Sequence, residues 1–99
     1  MRIYISRIRG GGIRIIFRNN LDSRVTLPSP SPWEIVGLDG KRIYAPVTIE
    51  KVTAIDPGEA VEWRWDLRDE RGEIVRGGDY VLKFRVLEPD ELIYVPFRV

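Results

Sequence analysis

The sequence contains no cysteine, no histidine and no glutamine, and only one methionine and two asparagines. Without Cys there is no disulfide framework, no thiolate metal ligand and no thiol nucleophile. Without His the usual general base, proton shuttle and transition-metal ligand are missing. Ser6, Ser23, Ser29 and Ser31 therefore lack an ordinary activating base. Carboxylate chemistry and oxygen-ligated Mg²⁺ or Ca²⁺ stay open. These absences lead to the expectation of a protein that is not an enzyme and carries no cofactor.

Long apolar runs are also missing, and none approaches the roughly 20 residues needed to cross a bilayer. The opening "MRIYISRIRGGG" places Arg2, Arg7 and Arg9 where a signal peptide would need an apolar core. The expectation is a cytoplasmic protein without membrane contact. Ninety-nine residues, 43% apolar and 31% charged, suffice for one globular domain over 1–99 with its own core. Depletion of heat-labile residues together with abundant charge implies a thermophilic source, and a GC-rich genome would also favour Arg.

What is present is alternation. From Val61 the apolar residues are Val61, Trp63, Trp65 and Leu67, with Glu62, Arg64, Asp66 and Arg68 between them. Period two places one set on each face of a strand. After an Arg/Gly-rich loop the pattern resumes with Tyr80, Leu82, Phe84 and Val86, which reads as the second arm of the same half-buried sheet. Other short runs are "RIYISRI" (2–8), "IRIIFRN" (13–19), "RVTL" (24–27), "WEIVGL" (33–38), "KRIYAP" (41–46), "VTIEKVTAI" (47–55) and "LIYVPFRV" (92–99). Gly10–Gly12, Asp39-Gly40 and Asp56-Pro57-Gly58-Glu59 are turn signals between them. Pro96 suits an edge strand or a bulge, and "PSPSP" (28–32) an extended, unladdered segment.

No helical periodicity of useful length appears. Short strands at this spacing predict an all-β fold, an immunoglobulin-like antiparallel β-sandwich of about 7–9 strands. A compact barrel is the structural rival. Val61, Trp63, Trp65, Leu67, Tyr80, Leu82 and Phe84 are expected to face one core, with Ile13, Ile15 and Phe17 opposite.

Several of these residues form a pattern: "NN" (19–20) closing a strand, "VTL" (25–27), "DGKRIY" (39–44) and "IDPGEAVEWRWDLRDERGEIVRGGDYVLKFRV" (55–86). It resembles the bacterial intracellular proteinase inhibitors, the BsuPI-like domains, over most of residues 13–86. The Pro-Ser repeat at 28–32 and the final run 90–99 lie outside that pattern. The resemblance implies an immunoglobulin-like fold and a protein partner, with a subtilisin-like serine protease as its specific version. A structural or accessory interaction domain is the alternative.

The expected partner surface is built from two loops. If 13–19 and 60–68 are corresponding sandwich strands, 20–32 and 69–79 share one end. That end would present Pro28, Ser29, Pro30, Ser31, Pro32 and Trp33 beside Arg71 and Arg76. Trp33 has two readings, a partner anchor or a core residue that starts its strand. Asp66, Asp69 and Glu70, and likewise Asp90 and Glu91, have arginine neighbours and read as solvated ion pairs. The glycines of 10–12 and 76–78 open no helix and read as turns. Residues 1–20 carry Arg2, Arg7, Arg9, Arg14 and Arg18 with no acid, a phosphate-binding composition with Tyr4 and Phe17 as stacking candidates. The whole chain is only +1, so nucleic acid ranks third among partners.

Overall fold

In the computed structural model, which describes Met1–Val99, the chain is all-β with nine strands and no helix. They are β1 (Arg2–Arg7), β2 (Ile13–Arg18), β3 (Val25–Leu27), β4 (Trp33–Val36), β5 (Arg42–Tyr44), β6 (Thr53–Ile55), β7 (Ala60–Trp65), β8 (Asp79–Val86) and β9 (Glu91–Arg98). They form three antiparallel sheets in the orders β1-β2-β7, β3-β6 and β5-β4-β8-β9.

The three- and four-stranded sheets face each other across an aromatic core. Phe17 of β2 stacks on Phe84 of β8 at 5.0 Å, and Trp63 of β7 meets the same ring at 5.7 Å. Trp65 meets Tyr44, Tyr80 and Phe97, one from each of three strands in the opposing sheet. Ile13, Ile15, Phe17, Trp65, Leu82 and Phe84 are all buried. Period-two alternation thus does what the sequence implies in β2, β7 and β8, where Ile13, Ile15 and Phe17, Trp65, and Leu82 and Phe84 point inward.

Two expectations about pairing are corrected. β7 and β8 are not arms of one hairpin: β7 pairs with β2, and β8 with β4 and β9. Ile13, Ile15 and Phe17 accordingly lie on the same sheet face as Trp65, Trp63 and Val61, directly opposite them in register. Similarly, Asp56–Glu59 is a corner that carries the chain from β6 into another sheet. A turn signal says that the chain reverses, while burial decides which strand it then joins.

The other turns close hairpins. Asp39-Gly40 joins β4 to β5, with the Gly40 amide on the Gly37 carbonyl at 3.0 Å. Ile8–Gly12 joins β1 to β2. Gly12 has φ +94°, and a Cβ there would sit 3.0 Å from the Trp65 carbonyl, so a side chain is excluded by both strain and space. β9 is an edge strand, where Pro96 removes no ladder hydrogen bond.

The small sheet closes one end of the two layers. Thr26 of β3 exchanges hydrogen bonds with Leu87 and Glu88, just beyond β8. Arg24, just before β3, donates to Asp56 at 2.7 Å, just after β6. That hydrogen bond, and then the Arg24 charge, hold the Asp56 carboxyl below the ordinary carboxylate range. A depressed carboxyl contributes stability above its unfolded pKa and loses it as pH falls through the lower folded value. Replacing Arg24 by Ala is expected to move the Asp56 titration up toward the ordinary range. An unchanged NMR titration curve for Asp56 would show that the pair does not form in solution.

Candidate functional site

The Pro-Ser segment is a strap across the core. Proline supplies no amide, so 28–32 joins no ladder, yet its carbonyls are used. Pro30 accepts the Trp63 indole N–H at 3.0 Å and Pro32 accepts the Arg85 amide at 2.9 Å, which ties the segment to both layers. Ser29 and Pro32 are buried, and Pro28, Pro30 and Ser31 are half-buried. Trp33 is 5% exposed and belongs to the core, beside Tyr44 at 6.0 Å. Of its two readings, the core residue is the one the structure has. The expected ridge is therefore corrected: most of its apolar surface is spent inside the fold.

Arg71 and Arg76 lie elsewhere. Their loop folds around Asp69, whose Oδ1 accepts the amides of Arg71 and Glu73. The Tyr80 hydroxyl donates to the Arg76 carbonyl at 2.6 Å, fixing the approach to β8. Both arginine side chains are exposed, outside every ion pair of the chain. Because β2 and β7 are antiparallel neighbours, the chain leaves them at opposite ends. The strap touches β8 at Arg85, while Arg76 precedes its first residue, Asp79. That separation along the strand is about 20 Å. The structure does not bring Pro28–Trp33 and Arg71/Arg76 together.

The carboxylates are committed to local structure. Asp66 accepts the Arg68 amide, Glu70 pairs with Arg42 at 2.9 Å and Asp90 with Arg85 at 2.7 Å. No three acidic side chains converge as metal ligands would.

The feature that sequence reasoning missed is the arm 45–52. "VTIEKVTAI" is β-branched-rich, with Val47 and Ile49 at one parity and Val52 at the other, but only Thr53–Ile55 pairs, and the Lys51 amide turns back onto the Ile49 carbonyl at 3.0 Å. The register explains why. Leu27 opposes Thr53, so the next partner of β3 for Val52 would be Pro28, which has no amide, and Pro30 follows. The same prolines that make the strap end this ladder. Val47 is fully exposed, Ile49 is 65% and Val52 60% exposed. The base of the arm, Ala45-Pro46, together with Arg42, lines two clefts at once. One is about 860 Å³, with Tyr44, Val47 and Arg68 in its wall; the other, about 530 Å³, has Ser31, Lys83 and Leu92. The signal was available: a β-type run whose potential partner is interrupted by alternate prolines.

The residues of the family pattern have definite structural places. Asn19 is a buried hub, Val25–Leu27 is β3, Asp39-Gly40 a hairpin turn, Pro57-Gly58 the inter-sheet corner and Tyr80 a loop tie. No protein-family model matches the chain, and no curated protein matches it in sequence.

Proposed function

We propose that this domain is a non-catalytic protein-binding module, with an immunoglobulin-like β-sandwich as scaffold and residues 45–52 as its contact segment. The observation that carries the reading is Val47, Ile49 and Val52, three β-branched residues exposed on an unpaired arm. Isolated surface apolar residues are ordinary; three on one strand-competent segment between two clefts mark an interaction site. The one internal bond of the arm is the Lys51 amide on the Ile49 carbonyl, and once straightened there the segment can add a strand to a partner, with main-chain hydrogen bonds for affinity and side chains for specificity. A protease substrate groove receives its ligand in that extended form. The motif resemblance makes a subtilisin-like serine protease the partner to try first, with the arm replacing the Pro-rich strap as the inserting element.

The test is titration of a purified subtilisin-like protease with the wild type and with the triple variant Val47→Ser, Ile49→Ser, Val52→Ser. Because all three side chains are exposed, the variant is expected to keep its fold and to lose at least 100-fold in affinity. Unchanged affinity would clear the arm of any role. If the wild type neither binds nor inhibits the enzyme, the inhibitor version fails and an accessory interaction domain takes its place.

A further inference from the structure

The two large sheets treat their outer faces differently. On the four-stranded sheet every cation has a carboxylate. Glu34 lies between Arg42 and Lys83, Arg85 meets Asp90 and Arg98 meets Asp79. On the three-stranded sheet the register sets out three rows of outward residues: Arg2, Arg18 and Ala60; Tyr4, Ile16 and Glu62; Ser6, Arg14 and Arg64. Arg2 directly opposes Arg18, and Arg14 directly opposes Arg64. Like charges in such positions destabilise a sheet. Glu62 is the one acid among them and is shared by Arg14 at 3.2 Å and Arg64 at 3.5 Å. Arg2 and Arg18 have no carboxylate, and Arg18 reaches only the Gly58 carbonyl at 3.4 Å. Tyr4, 44% exposed, sits in the middle row on the edge strand beside these guanidinium groups. Arg7, opposite Ile13 in register, lies on the other face of β1 and takes no part in this surface.

An arrangement that costs stability and is avoided on the sister sheet calls for a negative ligand. We propose that the outer face of β1-β2-β7 binds single-stranded nucleic acid, with phosphates on the paired arginines and a base on Tyr4. Guanidinium groups take phosphate oxygens bidentately, and an exposed aromatic ring stacks on any base. Three strands give an open track about 14 Å wide, which suits one strand laid across the sheet. Tyr4 and Ile16 are too little apolar surface for insertion into a lipid bilayer. The face borders the arm 45–52 only at Arg64, which also lines the larger cleft, so this inference stands apart from the protease reading.

The test is fluorescence anisotropy with labelled oligo(dT) and oligo(U) of about 15 nucleotides, from 50 to 200 mM salt. The expected affinity is micromolar at low salt. Three to four phosphates neutralised give a log–log salt slope between about −2 and −3. Arg2→Ser with Arg18→Ser is expected to weaken binding at least tenfold and flatten the slope by about 1.4. The double variant keeps its fold, because both residues are exposed and a like-charge contact is relieved. Tyr4→Leu is expected to cost about tenfold with the slope unchanged, as stacking carries no counterion. Arg71→Ser with Arg76→Ser, the same charge change on a distant loop, and the Val47/Ile49/Val52 triple variant leave binding intact. Absence of oligonucleotide binding at 50 mM salt would overturn the proposal, as would binding indifferent to both Arg2/Arg18 and Tyr4. Capture by phosphatidylserine vesicles without oligonucleotide binding would reassign the face to anionic lipid.

Discussion

Truncating Trp65 to Ala is expected to lower the free energy of unfolding by about 3–5 kcal/mol, the cost of removing a large buried aromatic side chain. For a domain of this size the corresponding fall in thermal midpoint is on the order of 20 °C. The reason is position as much as size. Trp65 ends β7 opposite Ile13, and its ring meets Tyr80 and Phe97 edge-on at 6.2 and 6.3 Å. Its indole N–H donates to the Arg68 carbonyl at 2.9 Å, which fixes the bend that leaves the strand. At that bend Leu67 has φ 65°, a left-handed conformation that costs a non-glycine residue free energy and persists only when its surroundings enforce it. Removing Trp65 therefore opens a cavity between the layers and loosens an unfavourable turn. Trp65→Phe keeps an aromatic ring but not the hydrogen bond, and should fall between wild type and Ala. Urea unfolding of the three proteins decides it: a loss below about 1 kcal/mol for Trp65→Ala would show that the two sheets do not close on this residue.

How much of this was legible beforehand follows from how local each signal is. Alternation in 13–18, 60–65 and 79–86 identifies strands and their inward faces because side-chain period depends only on the strand itself. Hairpins at Gly10–Gly12 and Asp39-Gly40 were equally legible, as their partners are adjacent in sequence. Pairing of β2 with β7 was not, because more than forty residues separate them and β7 carries an apolar set that would suit either β2 or β8. The candidate sites divide in the same way. The arginines of residues 1–20 could be counted from the sequence, but Arg64 joins them only through register. The Pro-rich segment advertised itself as a stiff ridge, yet stiffness says nothing about burial. Its alternate prolines proved to act at a distance, by leaving the arm 45–52 without a partner strand.

Asn19 is the residue whose motif was visible and whose reason was not. It is fully buried, and each of its polar atoms has a partner. Its side-chain amide donates to the Ser23 and Ile55 carbonyls, both at 2.9 Å, and its side-chain oxygen accepts the Leu21 amide at 3.0 Å. Its own backbone meets Glu59 and Gly58 at the inter-sheet corner. One side chain thus joins the end of β2, the following loop and β6, which couples the small sheet to a large one. Asn19→Ala would leave these buried groups unpartnered, and the expected loss is about 2–4 kcal/mol, since each orphaned group costs about 1–3 kcal/mol. Asn19→Asp is the sharper experiment because it preserves shape. The new carboxyl would face two carbonyl oxygens in a dry site, which disfavours its charged form and raises its folded pKa above the unfolded value of about 4. Below that unfolded value the carboxyl is neutral in both states and the variant suffers little electrostatic loss. As pH rises, the unfolded state ionises first, and the penalty grows until the folded pKa is passed. The stability difference between wild type and Asn19→Asp should therefore be small near pH 3 and largest near pH 7, with the wild type cancelling the titrations common to both. Chemical denaturation at the two pH values measures it, and an equal loss at both would mean that Asn19 is a space-filling residue whose hydrogen bonds contribute nothing of their own.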